Sequence, residues 1–337
     1  MNIESFFDGK KVLITGGTGS LGQNLTKRLL ATNVEQIRIF SRNEFKQIDM
    51  ESKFQDNRLR YLIGDVRDLD RLILALEDID YVFHAAALKH VPKVEYNPFE
   101  AVKTNVIGSQ NVIDACIHEN VELSIGVGTD KAVSPLNTYG ATKLLMEKLF
   151  VAAQNYVHPP RHKTKFLAVR YGNVLGSAGS VVPKFIQQIR SKQKLTITDQ
   201  NMTRFSITMD DALDFILNST IQNKGGGIFV PKLRAYSIMD LKDALFELLE
   251  DTGVDFISPR PGEKMHEALI NEDEIRNTWE LNGNYVVFDP LMDEEKIKKL
   301  YPEISRINMN EPYNSSYAEK ISKDELKKTI LEAGLLD

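Results

Sequence analysis

KVLITGGTGSLGQN, residues Lys11 to Asn24, is the stretch from which the rest of the chain can be read. Val12, Leu13 and Ile14 form a short aliphatic run, Gly16, Gly19 and Gly22 follow at GxxGxxG spacing, and Gln23 to Leu30 is helix-compatible. The order is strand, tight turn, helix. Glycines at these positions let the chain turn sharply, let the backbone approach a pyrophosphate, and let helix and strand pack closely, while the helix N-terminus offers unpaired N–H groups to an anion. A dinucleotide cradle built from Gly16, Thr18, Gly19, Ser20, Leu21 and Gly22 is therefore expected.

The 337 residues are 42% hydrophobic and 26% charged, the composition of a soluble globular chain with a sizeable core. A net charge of −5 with both signs interspersed suggests no basic face for nucleic acid and no polybasic membrane segment. A small-molecule partner is the default. The single cysteine, Cys116, excludes an internal disulfide, offers no metal site and suits a reducing cytoplasm, where it reads as a core residue. No apolar run approaches the length of a membrane span and the N-terminus has no signal-like segment. No metal centre is expected.

Beyond the glycine turn, Gln36 to Phe40 reads as a second buried strand ending at Ser41 and Arg42, with Lys46 close behind. An acidic residue there would hold the ribose 2′-hydroxyl of NAD, whereas a hydroxyl and cations favour a 2′-phosphate. NADP is preferred over NAD, unless Arg42 and Lys46 form only a solvated turn. A third strand, Arg60 to Ile63, leads to Gly64, Asp65 and Val66, where the Asp65 carboxylate can accept from an adenine amino group. Leu69 to Leu76 is an amphipathic helix. Tyr81 to Ala87 reads as a fourth strand whose Ala85, Ala86 and Ala87 leave room for a cofactor ring. His84 within it is a packed histidine, while Lys89 and His90 fall on the loop side, within reach of a ligand. A helix containing Asn105 follows, then a fifth strand from Ser124 to Val127. Alternation of strand and helix argues a doubly wound, Rossmann-type α/β sheet.

Thr129, Asp130 and Lys131 close the fifth strand, and TYGATK supplies Tyr139 and Lys143. If Tyr139 begins a helix, Lys143 lies on the same face, and its ammonium is expected to lower the phenol toward the range of a general base. Thr129 can hydrogen-bond the hydroxyl being deprotonated.

Here the chain resembles the extended short-chain dehydrogenases/reductases that act on nucleotide sugars. More narrowly it is similar to the C5-inverting UDP-N-acetylglucosamine 4,6-dehydratases that open pseudaminic acid synthesis. The shared blocks run in one order along the chain: ITGGTGSLG, FSRNEFKQ, IGDVRD, HAAALKHVP, KTNVIGSQNVI, TDKA, YGATK, VRYGNVLGSAGSVVP, MTRFSIT and RPGEKMHE. The resemblance implies an internal redox dehydration through bound NADP. Tyr139, held by Thr129 and Lys143, would take the C4 hydroxyl proton, and the acid and base that remove the C5 proton and protonate the departing C6 hydroxyl would be Asp130 and Lys131, in either division between the two. It adds Lys89 and Asn105 to the cofactor set and places Lys89, Asn173, Val181, Arg204, Arg260, Glu263 and Tyr313 at the sugar nucleotide. Arg204, Arg260 and Lys264 would face the UDP diphosphate.

Residues 1–173 are expected to form the cofactor-binding part, with 205–230 returning to it, and 174–337 a smaller α/β region for the nucleotide sugar. A cytoplasmic homo-oligomer is implied. Two positions depart from the resemblance: Gly128 stands where relatives usually carry Ser, and Ala178 where they often carry a cation. A UDP-sugar 4-epimerase would use the same cradle, threonine, tyrosine and lysine without needing the Asp130–Lys131 pair. A non-catalytic NADP-binding regulator would have lost the tyrosine or lysine, and both are present.

Overall fold

The computed structural model of the chain describes residues 2–177, 179–259 and 262–336. Ten strands form one large sheet: β1 (Lys11–Thr15), β2 (Gln36–Ser41), β3 (Leu59–Ile63), β4 (Tyr81–His84), β5 (Leu123–Val127), β6 (Lys165–Val169), β7 (Gly227–Val230), β8 (Thr278–Leu281), β9 (Asn284–Phe288) and β10 (Ser305–Arg306). Their spatial order is β3-β2-β1-β4-β5-β6-β7-β9-β8-β10. The first seven are parallel, and β9 adds antiparallel to β7. The order reverses beside β1, so the chain leaves the C-terminal ends of β1 and β4 toward opposite faces and a crevice opens there, the place where such sheets bind ligands.

Strand periodicity divides the packing between the two faces. Val12 and Ile14 of β1 join a core with Leu25, Leu29, Leu213 and Ile216, so the Ser20–Leu30 and Met209–Gln222 helices cover that side. Leu13 points the other way, into a core with Leu72, Val112, Ile113, Met146 and Phe150 from the Leu69–Leu76, Gly108–His118 and Thr138–Ala153 helices. A third core gathers Val182, Phe185, Ile189, Leu195, Ile197, Tyr236, Leu241 and Leu326. It belongs to a smaller unit containing the strands Asn173–Val174, Thr203–Ile207 and Ala235–Ser237 as one sheet and Leu195–Ile197 with Val254–Phe256 as another.

Among the boundaries that differ from the sequence expectation, two bear on the crevice and on the division of the chain. β4 stops at His84, because the alanines that follow bend into the crevice instead of continuing the ladder. The large sheet is also extended by residues 278–306, which the expected division assigned to the nucleotide-sugar part. The run Asn284–Phe288 is a strand as read, but a sequence does not say which sheet a strand joins.

Between the Pro98–Ala101 and Gly108–His118 helices, the backbone of Val102–Ile107 winds as a π-helix, a local widening found mostly near functional sites. Among the described residues, no helix is long and apolar enough to cross a membrane, and no group of His, Cys, Asp or Glu could hold a metal.

Candidate active site

A cleft of about 1090 Å³ runs from the glycine turn, across the C-terminal ends of β1, β4 and β5, to the smaller unit. That volume lies at the upper end of the range of small-molecule and cofactor sites. At its cofactor end Gly16 has φ +67°, and a Cβ there would lie 2.8 Å from Ala86 Cα. At Gly22 a Cβ would meet Gly17 O at 2.4 Å, so the helix packs directly on the turn. Gly19 caps the Ser20–Leu30 helix with no side-chain acceptor, which leaves the first-turn N–H groups directed to the cleft. These features fit a pyrophosphate, and Gly16, Thr18, Gly19, Ser20, Leu21 and Gly22 all line the cleft.

Ser41, Arg42, Lys46, Asp65, Val66, Ala85, Ala86, Ala87 and Lys89 line it as well. Gln47 Nε2 donates to Ser41 Oγ (3.0 Å), leaving that hydroxyl free to donate onward. Arg42 is half-exposed with its guanidinium 3.7 Å from Asp65. Asp65 is already engaged: Oδ2 accepts from Arg67 Nη2 (2.7 Å) and Oδ1 from the Arg67 N–H (3.0 Å). Burial alone would raise the Asp65 carboxyl, but the Arg67 bonds outweigh it and hold it below its ordinary value.

Asn105 does not line the cleft. Buried in the π-helix, its amide accepts from Leu88 N–H (2.8 Å) and donates to Leu88 O (2.9 Å) and Thr142 Oγ1 (3.0 Å). Both of its donors and one acceptor position go to stapling the loop after β4 to the Thr138–Ala153 helix, which sets it behind the cleft wall.

That helix carries the chemical groups. Asn137 caps it by accepting from Gly140 N–H (2.8 Å), Glu95 Oε1 accepts from Thr138 N–H (2.5 Å), and Tyr139 and Lys143 follow one turn apart on the cleft side. Lys143 Nζ donates to Val127 O (2.6 Å), and burial pushes its ammonium down to about 8, against the pull of Glu147. The Tyr139 phenol is raised by burial, with the Lys131 charge and the Thr129 hydroxyl working against that. The expectation that Lys143 lowers the phenol is thus corrected: the opposing cation is Lys131, and burial prevails.

Thr129 and Lys131 line the cleft, whereas Asp130 is fully buried behind them. Asp130 Oδ1 accepts from Thr129 Oγ1 (2.9 Å) and Lys131 Nζ (3.0 Å). Lys131 Nζ also donates to Asn173 Oδ1 (3.1 Å). Burial works to lower Lys131 and is outweighed by Asp130 and Glu267, so it stays above its ordinary value. In this arrangement Asp130 positions the threonine and the lysine rather than facing a ligand itself.

Of the expected nucleotide-sugar contacts, Lys89, Asn173, Val181, Arg204 and Glu263 line the cleft. Arg204 is largely committed, donating to Thr203 O (2.8 Å) and Met265 O (3.0 Å), with Glu263 at 3.8 Å. Lys264 likewise donates to Val133 O. Tyr313 is not at the cleft. Its hydroxyl accepts from Leu233 N–H and donates to Leu233 O (2.6 Å each), and its ring packs on Phe205 and Tyr285. It braces the smaller unit instead. Arg260 and Ala178 lie outside the described residues.

Glu267 was missed, although it ends the RPGEKMHE block. It lines the cleft 3.8 Å from Lys131, on a segment fastened to the start of the Thr138–Ala153 helix where Asn137 Nδ2 donates to Gly262 O (3.0 Å).

Cleft, cradle and Tyr–Lys helix together define a Rossmann-fold protein of the extended short-chain dehydrogenase/reductase type. More particularly, the chain belongs to the polysaccharide biosynthesis protein family, whose model matches residues 12–289. It is 48% identical over 294 residues, 86% of each chain, to a Campylobacter jejuni protein named UDP-N-acetylglucosamine 4,6-dehydratase (inverting). It is 39% identical, over 96% of each chain, to a Rickettsia prowazekii protein named UDP-glucose 4-epimerase. The X-ray structure of Pen from Bacillus thuringiensis superposes with a TM-score of 0.90 at 41% identity, covering 98% of this chain and all of that one.

Proposed function

We propose that the chain is a UDP-N-acetylglucosamine 4,6-dehydratase that works through bound NADP and inverts C5. The observation that carries this reading is the pairing of Tyr139 with a second acid–base group, Lys131, on one cleft shared with the glycine cradle. Epimerisation at C4 needs the phenol alone, whereas elimination across C5 and C6 needs a further group to move protons there. The 48% identity to a protein named as an inverting dehydratase supports the substrate and the outcome.

Bound nicotinamide supplies a hydride acceptor at C4 and a donor for C6. Gly16 and the open first turn after Gly19 hold its pyrophosphate, and the alanines 85–87 leave room for the ring. Ser41, Arg42 and Lys46 accept the 2′-phosphate, which would compete with Asp65 for Arg42. Tyr139, as the phenolate, takes the C4 hydroxyl proton, steadied by Thr129; Lys131, as the ammonium, gives a proton to the departing C6 hydroxyl, which leaves as water, and the amine so formed takes the C5 proton, with Asp130 behind it. At the sugar nucleotide, the Val181–Arg190 helix begins at Ser180, which gives no side-chain cap. Its open N–H groups and the nearby Lys184 suit a UDP phosphate.

The test is proton NMR of purified protein with UDP-N-acetylglucosamine in deuterated water. A 6-methyl signal on a 4-keto sugar with deuterium at C5 is expected, with coupling constants of the inverted C5. A C4 epimer without a methyl signal would instead establish the epimerase reading that the Rickettsia relative's name suggests.

A further inference from the structure

Glu267 is buried at 4% exposure, yet its Oε2 has no hydrogen-bond partner. A buried carboxylate oxygen left unpaired is costly, and such groups in native structures call for a reason. Its backbone is rigidly placed: Glu267 N–H donates to Ser315 Oγ (3.0 Å) and Glu267 O accepts from Ser315 N–H (2.8 Å). The side chain is thereby aimed at Lys131, with Oε1 3.8 Å from Nζ. On the other side of the same ammonium lies Asp130, whose Oδ2 is likewise buried and unpartnered.

We propose that Glu267 is a positioning residue for Lys131: with Asp130 and Asn173 it surrounds Nζ with oxygen and sets the lysine's protonation state. Lys131 thus has three oxygen neighbours, one from its own turn, one from the segment after β6 and one from the distant segment ahead of the strand Ala268–Ile270. Asp130 and Asn173 accept hydrogen bonds from Nζ, and Glu267, at 3.8 Å, adds its charge as an ion-pair neighbour.

The other charged or titratable groups around Lys131 are Tyr139 on its helix, Lys89 after β4, Tyr236, and Lys264, which lies 3.9 Å from Glu267 Oε2. Lys89 and Lys264 are cations that would push Lys131 toward the neutral amine. Glu267 stands between Lys131 and Lys264 and offsets both. Removing its charge leaves Asp130 as the single carboxylate on Lys131 and exposes Lys131 to Lys264, so the Lys131 titration moves down.

The inference rests on the dehydratase reading for its rate consequence only; the charge state can be read with no substrate. Trace acetic anhydride labelling of ligand-free protein between pH 7 and 11, followed by peptide mass spectrometry, reports Lys131 against the exposed Lys53. In the wild type Lys131 is expected to react only at higher pH than Lys53. In Glu267→Gln its profile is expected to move down by a unit or more, about a tenfold gain in reactivity on the rising limb. Glu267→Asp, which keeps the charge, is expected to stay near the wild type. Dehydration by Glu267→Gln is then expected to gain an alkaline pH limb that the wild type lacks. Identical Lys131 profiles in the wild type and Glu267→Gln overturn the proposal. Should the amide variant not fold, a wild-type Lys131 that titrates below Lys53 overturns it by itself. Absence of dehydration in the wild type would sink the dehydratase reading and leave the labelling result standing.

Discussion

Gly128 lies hard against the carboxylate of Glu147: a Cβ at position 128 would come within 2.2 Å of Glu147 Oε1 and 2.7 Å of Val169 O. Glu147 is fully buried and held by Arg170 (Nη2 to Oε2 2.7 Å), which also grips Glu274 (2.8 Å). The triad joins the Tyr139 helix to the segment that follows Glu267. A side chain at 128 must displace either this carboxylate or the β6 backbone. Gly128→Ala is therefore expected to cost about 1–3 kcal/mol by overpacking, read as a lower midpoint in urea unfolding. An unchanged midpoint would mean that Glu147 moves aside freely.

Arg42 bears on cofactor choice. A charge-assisted contact of the guanidinium to a 2′-phosphate contributes about 1.5–3 kcal/mol. Arg42→Ala is expected to weaken NADPH binding by about 10- to 100-fold while changing NADH little, as measured by calorimetric titration of each. Equal losses for both would count against the 2′-phosphate reading.

Lys131→Ala removes the group proposed to move protons at C5 and C6 and leaves the glycine turn untouched. NADP affinity is expected to hold within a few-fold, while formation of the 6-deoxy product falls by about 10²–10⁴. Retained turnover in the NMR assay would remove Lys131 from the chemistry.

Much of this was legible because the signals are local. Gly16 and Gly22 sit where turn geometry and close packing exclude a Cβ, so their spacing, taken with the motifs further along the chain, pointed to the turn. Tyr139 and Lys143 share a helical face because a helix repeats every 3.6 residues. Depth and long-range pairing were not legible. Asp130 and Lys131 are neighbours in sequence, yet one is sealed behind the cleft wall and the other opens onto it. Tyr313 was placed at the ligand by resemblance of its segment, and its actual partners, Leu233 and Tyr285, come from segments distant in sequence. Glu267 meets Lys131 only through the fold, and Asn105 sits off the cleft lining in a π-helix that no residue pattern announces.

His84 supplies an acid sensitivity at the foot of the cradle. Its Nε2 donates to Ser109 Oγ (2.9 Å), because the Ser109 hydroxyl is spent on Asn105 O (2.6 Å). Its Nδ1 therefore accepts from Thr15 Oγ1 (2.8 Å), the residue before Gly16. Both ring nitrogens are satisfied only in the neutral form, and burial, with Lys143 adding to it, pushes the imidazole down to about 3. The unfolded chain takes up this proton near 6.5 and the folded one does not. Stability must then fall as pH drops from about 6.5 toward 3, by about 1.4 kcal/mol per unit. His84→Gln cannot titrate and loses part of the network, about 1–3 kcal/mol at pH 7. Urea unfolding at pH 7, 6 and 5 is expected to show the wild type's advantage over this variant shrinking as pH falls. A constant gap would mean that His84 is not held neutral, and that the Thr15 hydroxyl beside the phosphate turn is free to point elsewhere.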